Sequence, residues 1–148
     1  MSFESELLQQ IKEHEGLRLK PYKCPAGKLT IGYGHNLEDN GLTKSACEYI
    51  LIEDIEEAKR NLYAIFTRDF FNSLSDNQKI ALVDMMFNLG LSKFLTFKKF
   101  IQAVKNKDFI KASAEIINSK AYQQNKRRYK KLSEQIKNFK TKWKKIII

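Results

Sequence analysis

The sequence predicts an α+β fold, mainly helical, with a small antiparallel sheet lobe followed by a helical lobe. Three observations lead there. Apolar residues recur at three- and four-residue spacing over most of the chain, the period of a single helix face. Between Leu17 and Leu37 that period gives way to alternation: Leu29, Ile31 and Tyr33 are separated by Thr30, Gly32 and Gly34, with Pro21, Pro25-Ala26-Gly27 and Asn36 as punctuation. Finally, 148 residues, 43% of them hydrophobic, can bury one substantial core and not two independent ones.

The elements follow in order. Phe3, Leu7, Leu8 and Ile11 share a face behind Ser2 or Ser5 as cap, and Gly16 is a natural stop, so a helix is expected over 3–15. A sheet lobe then occupies about 16–42. Thr43 can cap a long helix in which Leu51, Ile55, Ala58, Leu62 and Ile65 recur on one side. Ser75 and Gln78 form a capping-box pattern ahead of a helix that is apolar on nearly every side from Ile80 to Leu89, as a helix in the middle of a bundle is. Thr96 and Asp108 are expected caps of two more helices, the second turning Phe109, Ala112, Ile116 and Ile117 inward. Leu132, Ile136, Phe139, Trp143 and Ile146 line one side of a final basic helix. Without repeats, low-complexity tracts or linkers, residues 1–148 read as a single domain, its helical lobe being about 73–148 together with the N-terminal helix.

Charge divides the chain more sharply than composition does. The formal net charge is +10, yet residues 1–100 carry 13 Lys/Arg against 14 Asp/Glu, while residues 101–148 carry 14 against 3. A basic segment of that size admits nucleic acid, anionic lipid and the acidic groups of a cell wall as partners. Lys137, Lys140, Lys142, Lys144 and Lys145 interleave with Phe139, Trp143 and three terminal isoleucines, a composition suited to an anionic membrane surface as well as to packing on the helical lobe. No apolar run approaches the roughly 18 residues of a membrane span. Met1-Ser2-Phe3-Glu4-Ser5-Glu6 has no basic stretch followed by an apolar one, so no signal peptide is expected. Cys24 and Cys47 are expected to be free thiols, and with only His14 and His35 beside them no metal site or cofactor is expected.

Glu15 is the oddest local feature. A carboxylate in the last turn of a helix faces the negative end of the dipole, with Glu13 close by, and an environment unfavourable to negative charge is the one a proton donor uses. The run Glu15-Gly16-Leu17-Arg18-Leu19-Lys20-Pro21-Tyr22, then Cys24, then Leu29-Thr30-Ile31-Gly32-Tyr33-Gly34-His35, resembles the phage-type lysozymes, or endolysins, of glycoside hydrolase family 24. That family's pattern of Glu, eight residues, Asp or Cys, five residues and Thr is met by Glu15, Cys24 and Thr30. The likeness continues more weakly through Asp84-Met85-Met86-Phe87-Asn88-Leu89-Gly90 and Arg127-Arg128, covering about residues 4–135.

The resemblance implies a lysozyme-like fold and hydrolysis of the β-1,4 bond between N-acetylmuramic acid and N-acetylglucosamine in bacterial peptidoglycan. Glu15 would protonate the leaving oxygen. Cys24 and Thr30 would serve the water on the opposite face, with inversion at the anomeric carbon. Cys24 could act as a thiolate, if cations such as Lys23 lower its pKa, or as a neutral group shaping the site. The resemblance also sets Arg128, or else Arg127, opposite Glu15. Asp84 and Asn88, four apart on one helix face, are candidate glycan contacts, as is Gly32, whereas His35 and Arg18 read as structural. The same likeness implies a monomer held in the host cytoplasm until a holin releases it onto the wall. Two rival readings remain, a basic nucleic-acid-binding protein suggested by the charged segment with Tyr122, Tyr129 and Trp143, and a catalytically inactive wall-binding relative.

Overall fold

A computed structural model describes residues 2–137, in which the chain is α+β and mainly helical, with one three-stranded antiparallel sheet ordered β1-β2-β3. It divides into two compact units, Met1–Ile50 and Leu51–Ile148. Phe139, Trp143, Ile146 and the lysines from Lys140 onward lie outside the described residues.

In the first unit, helix α1 spans Phe3–Glu15, as its spacing predicts. The Ser2 side chain accepts the Ser5 N–H, Glu4 and Glu6 sit in the positive first turn, and Gly16 closes the helix at φ 69°, its N–H bonded to the Lys12 carbonyl. The sheet follows as β1 (Arg18–Lys23), β2 (Leu29–Gly32) and β3 (His35–Asn36). β1 and β2 pair Arg18 with Gly32, then Tyr22 with Thr30, so β1 carries extra residues and bulges between them. Pro21, which has no N–H to give a ladder, falls in that bulge. The irregularity brings the Arg18 guanidinium over the Tyr22 ring, 4.6 Å from its centre, a bracing contact within the strand. A short helix α2 (Leu37–Asn40) follows at once, capped by the Asn36 side chain. The sequence reading missed it. Lys28 ties it back to the hairpin through Asp39 at 3.1 Å and Glu38 at 3.5 Å, half-exposed pairs worth about 0–1 kcal/mol each.

Thr43 caps the long helix α3 (Lys44–Phe66), accepting the Ala46 N–H, and the boundary between the units falls within it after Ile50. The second unit adds α4 (Arg68–Ser73), α5 (Asp76–Leu95), α6 (Lys98–Lys105), α7 (Phe109–Ile117), α8 (Lys120–Gln124) and α9 (Lys126–Lys137). Its core joins Leu62, Leu82, Met85, Met86, Phe94, Phe100, Val104, Ile116, Leu132 and Ile136, with α9 packed on both α5 and α7.

The Ser75–Gln78 capping box is present in both directions, and Gln78 does more than cap. Buried to 2% exposure, it accepts the Ser75 N–H and donates through Nε2 to the Ile136 carbonyl, fixing the start of α5 to the end of α9. Two expectations need correction. α5 is not enclosed on nearly every side, since Ile80 and Phe87 are 52% and 43% exposed. Thr96 does not cap α6: its hydroxyl donates back to the Lys93 carbonyl, closing α5, and α6 starts behind Phe97 with no side-chain cap. Asp108 caps α7 as expected.

Candidate active site

Cys24 and Thr30 meet at the turn end of the β1–β2 hairpin. The turn from Cys24 to Lys28 is closed by the Cys24 N–H donating to the Lys28 carbonyl at 3.0 Å and by the Gly27 N–H donating to the Cys24 carbonyl at 2.8 Å. Thr30, opposite Tyr22 in the ladder and 3% exposed, donates its hydroxyl proton to the Lys28 carbonyl at 2.8 Å. A hydroxyl has a single proton, so Thr30 can serve that carbonyl or a Cys24 thiolate and not both at once, and its lone pairs stay available to a water.

The turn is built to favour an anion. Hydrogen bonding from the backbone at Lys28 lowers the Cys24 thiol below its ordinary pKa; desolvation opposes this, and bonds from the Ala26 backbone and the Thr30 side chain reinforce it. Of the two options open for Cys24, the thiolate one is favoured here by backbone groups and not by a cation such as Lys23. Because the folded-state value lies below the unfolded one, the associated stability is present above the ordinary thiol pKa and is lost as pH falls through the lowered value. In a Cys47→Ser background, which removes the other free thiol, ultraviolet thiolate absorbance should titrate below the ordinary thiol range. Thr30→Val should move that midpoint upward. A wild-type midpoint at or above the ordinary value would contradict this description of the turn.

Glu15 ends α1 in the same unit. Its side chain lies against the backbone of Gly34, in the tight turn between β2 and β3: a Cβ built on Gly34 would stand 2.5 Å from Glu15 Oε2 and 2.8 Å from its Cδ. One turn earlier on α1, the Lys12 ammonium sits 5.5 Å from the centre of the Tyr33 ring. Glu15 has no hydrogen bond or ion pair to another described residue within this unit. Gly32 and Gly34 share a positive φ, 69° and 68°, but a Cβ on Gly32 would meet nothing within 4 Å. Backbone conformation alone requires glycine at 32, whereas conformation and close approach both require it at 34. Sequence reasoning grouped the two glycines and missed the difference. His35 is structural, its Nε2 lying 2.6 Å from the Gly41 carbonyl.

The other candidates gather in the helical unit. Arg128 Nε donates to Asp84 Oδ1 at 2.7 Å, and the hydroxyl of Tyr129 donates to Asn88 Oδ1 at 2.6 Å, so two consecutive residues of α9 clasp two residues one turn apart on α5. Tyr129, grouped by sequence with Tyr122 and Trp143 as an aromatic for nucleic acid, is only 1% exposed and serves this clasp instead. Burial raises its phenol above the ordinary value, with the Arg128 charge working against the rise and Asp84 adding to it. Asp84 and Arg128 also border a groove of about 620 Å³ walled by Tyr63, Ile80, Val83 and Phe87, with Lys59 and Lys79 beside them. Asn88 is not part of that wall.

A carboxyl seated on the turn of a small sheet, with a hairpin in the same unit that gathers a thiol and a hydroxyl, is equipment for acid-assisted hydrolysis, the chemistry of glycosidases. The phage lysozyme family model matches residues 12–138, and the chain belongs to that family. It is 37% identical over 122 residues to an endolysin of Acyrthosiphon pisum secondary endosymbiont phage 1, covering 79% of this chain and 80% of the relative. A probable T4-type lysozyme 2 of Dictyostelium discoideum is 28% identical over 78% of this chain and 84% of its own length. The endolysin of Salmonella phage P22 is 31% identical over 64% and 67%. The chain is therefore a glycoside hydrolase of the muramidase type.

Proposed function

We propose that this peptidoglycan hydrolase cuts the glycan after N-acetylmuramic acid with Glu15 as general acid and the Cys24–Thr30 pair as its water-side partner. The observation that carries the reading is the seat of Glu15 on the turn that follows the Thr30 strand, within the unit that also builds the anion-favouring Cys24 turn. The neutral carboxyl of Glu15 gives its proton to the glycosidic oxygen as the C1–O bond breaks. A water held by Thr30 attacks C1 from the other face and yields its proton to Cys24, and solvent returns the two groups to their starting states. The experiment is product analysis on purified sacculi. Borohydride reduction after digestion should convert N-acetylmuramic acid, and not N-acetylglucosamine, to its alditol, and the first-formed anomer should be inverted. Reduced N-acetylglucosamine, or release of peptides alone, would refute the reading.

The groove bordered by Asp84 and Arg128 is our candidate for binding the wall polymer. Its apolar wall suits sugar faces, and Lys59, Lys79 and Arg128 suit the carboxylates of lactyl and peptide groups. On the exposed side of α9, Lys126, Arg127, Lys130, Lys131 and Lys137 have no acidic partner within 4.0 Å among the described residues. We assign this stripe, together with the lysines that follow it in the sequence, to anionic membrane surfaces. Truncation tests it after Lys137 and not earlier, because Ile136 is fully buried and its carbonyl holds Gln78. Equal lysis of intact cells by the truncated and complete proteins would remove the tail from that role. Cytoplasmic storage of a monomer and holin-dependent release complete the proposal, supported by the likeness to phage endolysins. Expression without a holin should then leave cells intact until the membrane is permeabilised.

A further inference from the structure

We propose that Gly34 is a positioning residue for the general acid, its missing side chain forming the seat that holds the Glu15 carboxyl in its working place. The proposal rests on the assignment of Glu15 as the acid.

Glu15 is the last residue of α1, and Gly16 turns the chain away immediately after it. A glutamate there is free to sample several rotamers, and fixing one costs side-chain entropy. No hydrogen bond or ion pair from another described residue of this unit meets that cost. What confines the side chain is contact: Oε2, Cδ and Cγ all fall within 3.3 Å of the point where a Gly34 Cβ would stand. The turn is itself fixed to the helix one turn earlier, by Lys12 over the Tyr33 ring. Lys12 and Glu15 share a face of α1, and Tyr33 and Gly34 are adjacent, so the two contacts form a short two-point dock between helix and turn.

Any Cβ at position 34 forces the carboxyl out by roughly an ångström, since ordinary contact begins near 3.4 Å. A displacement of that size at a reacting group is worth about 10²-fold in rate. The backbone adds a separate requirement, because φ at Gly34 is +68°. Its effect falls on stability and can be matched elsewhere. Gly41 has φ +60° with nothing within 4 Å of a Cβ, so Gly41→Ala strains the same unit without touching Glu15.

The test is a kinetic cycle on soluble glycan fragments, with each rate corrected for the folded fraction. Gly34→Ala should lower kcat about 100-fold with KM within about threefold, while Gly41→Ala stays within about threefold in both. Gly34→Asn, which tolerates a positive φ while keeping a Cβ, should reproduce the kcat loss in a well-folded protein. In a Glu15→Asp background the carboxyl is withdrawn by about one bond, so Gly34→Ala should then cost less than about threefold. Equal losses from Gly34→Ala in the wild-type and Glu15→Asp backgrounds, or a loss no larger than that of Gly41→Ala, would overturn the proposal alone. Retained activity in Glu15→Gln would overturn the acid assignment and the proposal with it.

Discussion

Cys24→Ala should lower kcat on peptidoglycan by about 10²- to 10⁴-fold, the range for loss of a positioned proton acceptor, while Cys24→Asp should retain or raise it. The contrast follows from what surrounds the side chain. Backbone bonds at Lys28 and Ala26 and the Thr30 hydroxyl favour negative charge at position 24, without any feature specific to sulfur. An aspartate offers two charged oxygens to the same donors and needs no help to ionise near neutral pH. Alanine leaves the turn's geometry in place and removes the charge. Turbidity clearing with purified sacculi, at matched protein concentration, reads the difference. Loss of activity in Cys24→Asp would show that sulfur chemistry is needed, and full activity in Cys24→Ala would leave Thr30 to position the water unaided.

The second large effect falls on stability. Phe94 is completely buried on α5 and meets Phe100 of α6 edge to face, with ring centres 6.1 Å apart. Phe94→Ala should cost about 3–5 kcal/mol, the usual range for truncating a buried phenylalanine. That is a large part of the about 5–15 kcal/mol that holds a domain together. Urea unfolding should show the midpoint falling with little change in slope. A loss under about 1 kcal/mol would mean the α5–α6 corner repacks around the gap.

The parts of this molecule legible in its sequence are those fixed by neighbours in the chain. α1 was readable to its ends because Ser2 and Gly16 act within one turn, and the Ser75–Gln78 box because both partners lie in one loop. The spacing of Glu15, Cys24 and Thr30 was readable as a motif. α2, α4 and α8, four to six residues each, are too short to display a period. Thr96 misled because a hydroxyl can close the helix before it as well as cap the one after. Contacts between distant positions stayed hidden: Gly34 under Glu15, Arg128 on Asp84, Tyr129 on Asn88, Gln78 on Ile136. Each depends on tertiary structure bringing together residues that no local pattern links. The clasp also shows that a polar pair on a helix face, read as a glycan contact, can be engaged inside the protein already.

The measurement closest to the central claim is the rate at which Glu15→Gln releases new reducing ends from purified peptidoglycan, with thermal unfolding and sacculus binding followed in the same preparation. The amide keeps the shape of the side chain and cannot donate the proton that the leaving oxygen needs. Activity should fall by at least about 10²-fold, the low end of what a positioned acid contributes, while the unfolding midpoint and wall binding stay as in the wild type. Clearing at a rate near that of the wild type would show that another group delivers the proton.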